Sequence, residues 1–158
     1  MPEAPPAKAP VQESKPENGA PSKLMKYEFR FEPGEDFSET ALFVKGFVCG
    51  TVWISGNTPV VFRSMTGEDV DKINDTVKIK PDMTVAQFNT QITYWNLAFA
   101  VEKIGETKMD GSPEEKVKRF QAMAAPILAR LQLAYLEFNA HIEELFKGKE
   151  VGDLAKKS

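Results

Sequence analysis

The side chains in this chain that could do chemistry are few and scattered. His141 is the only histidine and Cys49 the only cysteine. No His pair or Cys–His couple is therefore available to ligate a metal or activate a nucleophile. Glu137 stands one helical turn before His141. One imidazole and one carboxylate do not complete a metal site, nor the base and orienting partner that general-base catalysis needs. The residue types predict a solvated or partly packed imidazole at 141 and a small apolar filler at Cys49. Glu68, Asp69, Asp71 and Asp75 lack the spacing of a calcium loop and read as the solvated face of a helix. Gly46, Gly50 and Gly56 are too far apart to cradle a phosphate. These residues point to a protein that is not an enzyme and carries no cofactor.

The chain does contain an apolar seam. Leu128, Leu131, Tyr135, Phe138, Ile142 and Leu145 recur at alternating spacings of three and four residues, the pattern of a helix that lies along another helix. Phe120 and Met123 extend the apolar surface upstream, and methionine adapts to imprecise partners. Two uses of this seam are open. Helices over 85–104 and 113–123 can bury it as the protein's own core, or part of it can be offered to a partner or a second copy. These eight residues form the candidate partner-binding set.

Local signals predict the elements that would position the seam. Residues 1–23 are rich in Pro, Ala, Glu, Lys and Ser, too poor in apolar surface to offset their ordering entropy, which predicts a disordered tail. Leu24 to Phe31 alternates like a half-buried strand, ended by Pro33-Gly34. Ala41 to Val44 reads as a strand broken at Gly46. Val48 to Ile54 and Val60 to Arg63 form a hairpin about the Ser55-Gly56-Asn57-Thr58 turn, with Trp53 as a core anchor. Thr66 caps a short helix ending near Thr76, and Val77 to Lys80 is a short strand or an extended connector.

Thr84 and Gln87 match a capping box, opening a helix over 85–104 that Gly105 ends. A polar loop runs from Glu106 to Gly111. Ser112, Pro113 and Glu115 then give the clearest helix start in the chain. Pro126 breaks the pattern, so the spacing predicts a helix over 113–123 and a longer one over 126–146, stopped by Gly148.

The resulting expectation is an α+β fold of one small antiparallel β segment (24–66), a domain of three to four helices (67–147) and flexible tails (1–23 and 148–158). At 158 residues and 42% apolar content the chain can build a real core. The net charge of −3 comes with scattered Lys and Arg, which argues against a nucleic-acid partner. No apolar run approaches the roughly 20 residues of a membrane span. The start of the sequence lacks a signal-peptide pattern, so the expected compartment is cytoplasmic.

The order of these segments resembles a known family. Phe62-Arg63-Ser64-Met65-Thr66-Gly67-Glu68 turns into a helix. Tyr94-Trp95-Asn96-Leu97-Ala98 lies on the next. A loop with Ile104-Gly105 precedes Pro126-Ile127-Leu128 and a final helix with Leu131, Tyr135, Phe138 and Ile142. Over about residues 60–146 this is similar to the tail assembly chaperones of long-tailed bacteriophages. Met65 stands where leucine is commoner, and the loop lacks the usual Asn.

The resemblance implies a non-enzymatic role in the host cytoplasm. Such proteins bind the apolar, helical tape-measure protein, keep it soluble, help tail-tube subunits assemble around it, and are displaced. It also implies that a longer form made by frameshifting can exist. The alternatives are a permanent virion component of neck or baseplate, a self-associating scaffold module, or a small-ligand or enzyme domain with its site near Trp53, Arg63 and Tyr94.

Overall fold

The computed structural model describes residues 29–157. An antiparallel sheet of five strands packs one face against helices, giving an α+β fold. The strands are β1 (Arg30–Pro33), β2 (Cys49–Ser55), β3 (Thr58–Arg63), β4 (Val101–Ile104) and β5 (Thr107–Lys108), in that spatial order. The helices are α1 (Glu39–Val44), α2 (Gly67–Thr76), α3 (Val85–Ala100), α4 (Pro113–Gln121) and α5 (Ala125–Lys157).

Alternation in the central hairpin sets the two faces. Gly50, Val52 and Ile54 on β2 point inward, as do Val60 and Phe62 on β3, while Thr51, Trp53, Val61 and Arg63 point outward. Period-two burial of this kind marks an antiparallel sheet with one face on the core and one toward water. On the inner face lie Leu97 and Ala98 of α3, Phe120 of α4, and Leu131, Ala134, Tyr135 and Phe138 of α5. Phe62 stacks on Phe138 at 5.6 Å. Gly50 is small because α5 comes close: a Cβ there would meet Phe31 and Phe138 ring carbons at 2.7 and 3.1 Å.

Helix starts follow the capping chemistry. Thr66, Thr84 and Ser112 each accept the backbone N–H three residues on, and Asp69, Gln87 and Glu115 each reach back to the cap's own N–H. Each box satisfies two backbone donors that would otherwise lack partners. The break before α5 falls at residues 122–124, and Pro126 sits in the first turn, where its missing N–H costs no helical bond.

Several expectations are corrected. Residues 41–44 are helical: Ser38 Oγ accepts from the Ala41 N–H, and this cap starts the single turn and a half of α1. The helix expected over 85–104 stops at Ala100. Val101 turns extended, and Val101 and Ile104 pair with Phe62 and Val60 on β3. Helical periodicity carries on through those positions, but the open edge of β3 provides backbone partners and the β-branched side chains suit a strand. Gly105, at φ +60°, makes the turn into β5, which occupies part of the expected polar loop.

Val77–Lys80 is a connector rather than a strand. Gly148 does not stop α5, which runs on to Lys157. A glycine inside a helix costs about 1 kcal/mol relative to alanine, which weakens the helix without ending it. β4 and β5 lie within 67–147, and the strands and helices share one buried cluster. The proposed tail at 1–23 and most of the strand at 24–31 lie outside the described residues.

Candidate binding surfaces

The seam meets the protein's own sheet over much of its length. Leu131, Phe138, Tyr135 and Phe120 are buried in the core. Leu128, Ile142 and Met123 are half-buried at its margin, and Leu145 is half-buried near the far end. The surface these eight residues can offer a partner is therefore that of Leu128, Ile142, Leu145 and Met123.

Ile142 belongs to an apolar groove of about 450 Å³. Helix α1 supplies Leu42 and Phe43, the turn after β3 supplies Met65, α2 supplies Val70, and α5 supplies Ile142 and Phe146. Phe43 is 76% exposed and meets Phe146 edge-on at 6.4 Å. Val44 beside it is 77% exposed. Buried Ser64 also lines the groove, its Oγ accepting from the Val48 N–H at 2.9 Å. Asn139 lines the same groove and hydrogen-bonds the Tyr135 side chain. Reading 41–44 as a strand hid Phe43 as a groove residue. The signal that finds it is Ser38 followed by Glu39, a cap and an acidic first turn.

The chemically suggestive residues are held in structural contacts. His141 stacks on Phe31 with centroids 4.0 Å apart, and its Nε2 lies 3.0 Å from Glu137 Oε2. Asp69 is buried, accepting from the Thr66 N–H and from Arg63, while Glu68, Asp71 and Asp75 are exposed. Cys49 lies half-buried on β2, and burial pushes its thiol above the usual value, which disfavours the thiolate. Among the described residues no group of three His, Cys, Asp or Glu side chains is placed to hold a metal ion.

Trp53 and Arg63 do not converge, and Tyr94 packs against the core cluster. Trp53 pairs with Pro59 and Arg63 with Cys49, placing them about 13 Å apart along the hairpin. Arg63 is engaged by Asp69 at 3.1 Å and Glu102 at 3.3 Å. Trp53 is not a core anchor: it faces outward, with the Arg30 guanidinium 4.1 Å from its ring centroid.

No protein-family model matches the chain, and no curated protein or solved structure matches it either. Among the described residues no helix is long and apolar enough to cross a membrane.

Proposed function

We propose that this protein is a non-enzymatic tail assembly chaperone of a long-tailed bacteriophage, acting in the host cytoplasm. It holds the tape-measure protein through apolar contacts and yields it to tail-tube subunits as the tube assembles. The observation that carries the reading is the groove between α1, α2 and α5, in which Phe43 stays 76% exposed beside Phe146. Large exposed aromatics rimming an apolar groove mark an interaction site. A groove of this kind suits an amphipathic helix that inserts apolar side chains one turn apart. Met65 in its wall can adjust to successive, non-identical segments of a long helix. Of the seam, Leu128, Ile142, Leu145 and Met123 take part at the surface, while Leu131, Tyr135, Phe138 and Phe120 support them from the core.

The test is co-expression with a tape-measure protein that is insoluble alone. The expected result is a soluble complex that purified tail tubes disperse, with the chaperone missing from finished particles. A tape-measure protein that stays insoluble removes the chaperone reading. Stoichiometric presence in finished particles replaces it with a permanent virion component, and mass that grows with concentration in the absence of any partner replaces it with a self-associating scaffold.

A further inference from the structure

The groove between α1, α2 and α5 has apolar walls and acidic surroundings. Segments 35–45, 67–76 and 137–147 supply all of its lining except Ser64 and Met65. They hold ten Asp or Glu against three Lys, a local balance of −7 in a chain whose net charge is −3. Three of those carboxylates are already paired: Asp36 with Lys45, Asp69 with Arg63 and Glu137 with His141.

Helical spacing brings one further carboxylate from each helix to the lip of the groove. Glu39 falls between Leu42 and Phe43 on the face of α1. On α2, Asp69 and Ile73 turn to the core, so Asp71 lies on the solvent side of Val70. On α5, exposed Glu143 stands one turn after Asn139 and one turn before Phe146. Lys147, a further turn on, brings a single opposing charge.

We propose, taking the groove as the surface that holds a helix, that it selects helical segments whose apolar stripe is flanked by Lys or Arg. The stripe enters beside Phe43 and Phe146, and the basic flanks meet Asp71 and Glu143. The lining favours a helix over an extended chain. Its two polar side chains are engaged, Ser64 with the Val48 N–H and Asn139 with Tyr135. An extended backbone would bring a row of N–H and C=O groups to apolar walls, whereas a helix satisfies its own. Charge decides against the other occupants. A nucleic acid or an anionic bilayer is repelled. A second copy docked groove to groove would oppose like charges in an isologous contact. A helix with acidic flanks meets the same repulsion.

The test is fluorescence anisotropy of the full chain with stapled helical peptides that share one Leu stripe and carry Lys, Gln or Glu on its flanks. In about 0.01 M salt the Lys peptide is expected to bind about fivefold more tightly than the Gln peptide, and the Glu peptide more weakly than either. In about 1 M salt, where charges are screened within ~3 Å, the three should converge. Asp71→Asn combined with Glu143→Gln should remove most of the Lys preference and leave the Gln peptide unchanged. Both residues are exposed, so circular dichroism should show that variant folded. Phe43→Ser, which removes an apolar contact without changing the charge, should weaken the Lys and Gln peptides alike.

Equal binding of the Lys and Gln peptides, or a Lys preference that survives the double variant, overturns the charge selection. The groove remains a helix site in that case if Phe43→Ser still weakens both peptides. No saturable binding of any peptide, or binding untouched by Phe43→Ser, removes the groove reading together with the selection. Concentration-dependent mass that Phe43→Ser abolishes gives the groove to a second copy and overturns the proposal as well.

Discussion

Phe31 of β1 and His141 of α5 stack face to face, their ring centroids 4.0 Å apart and their planes 11° from parallel. Phe37 meets the same phenylalanine edge-on at 5.2 Å, and Glu137 Oε2 lies 3.0 Å from the imidazole Nε2. The only histidine of the chain thus joins the edge strand to the helix that crosses the sheet. A double-mutant cycle with Phe31→Leu and His141→Leu in urea denaturation should give a coupling of about 0.5–1.5 kcal/mol, the range for aromatic pairs beyond their buried area. Additive single effects would mean that the stack contributes nothing of its own.

Stability and partner binding should separate between two apolar residues. Phe43 is 76% exposed and Leu131 fully buried. Phe43→Asp should change unfolding free energy by less than about 1 kcal/mol, as surface substitutions usually do. In the co-expression assay it should cut recovery of the soluble tape-measure complex severely. Leu131→Asp places a charge in the core without a partner and should leave no cooperative unfolding transition. A Phe43→Asp variant that retains full complex formation would move the binding surface away from the groove.

Alkaline pH should weaken the fold, and Tyr135 is one reason. Burial holds its phenol above the usual value, with the Asn139 hydrogen bond offsetting part of that rise. The folded state therefore disfavours the phenolate. Its share of stability is complete below the unfolded value of about 10 and is lost as pH rises through the folded one. Burial raises Cys49 in the same direction. Urea midpoints measured from about pH 8 to 11 should fall, and Tyr135→Phe should make that fall shallower. An identical slope in the variant would show that the phenol stays protonated in both states or is not buried.

The cap at the start of α4 has a measurable weight. Ser112 Oγ accepts from the Glu115 N–H at 3.2 Å, and Glu115 Oε1 accepts from the Ser112 N–H at 2.9 Å. Ser112→Ala should cost about 1 kcal/mol, read as a lowered thermal midpoint. Pro126→Ala should cost less than about 0.5 kcal/mol, because the proline sits in a first turn whose N–H groups have no helical acceptor. A loss at Pro126 larger than at Ser112 would mean that the proline restrains the break between α4 and α5.

The candidate binding residues were legible in the sequence only in part. Heptad spacing identified a seam correctly as apolar and helical, but spacing is blind to what lies opposite. Leu131 and Phe138 meet the sheet, whereas Ile142, one turn further on, reaches the margin where α1 and α2 leave a groove. Phe43 and Phe146 are about a hundred residues apart in the chain, and only the fold brings them to 6.4 Å. Leu42, Val70 and Ile142 likewise lie on three separate elements whose nearness no local pattern encodes.

By itself the sequence determined whatever rests on neighbours within a turn or two. The three capping boxes, the β2–β3 hairpin and the break before Pro126 follow from what side chains do to adjacent backbone, and the apolar stripe of α5 from the spacing of its apolar residues. Tertiary structure decided the rest. Val101 to Ile104 left a helical register because the open edge of β3 offered backbone partners that solvent could not match in a closed core. Trp53 faced outward because strand alternation, set by the residues that must reach the core, left it no choice of side. Each local preference is worth only tenths of a kcal/mol to about 1 kcal/mol, and burial of the shared core, worth far more, overrode it wherever the two disagreed.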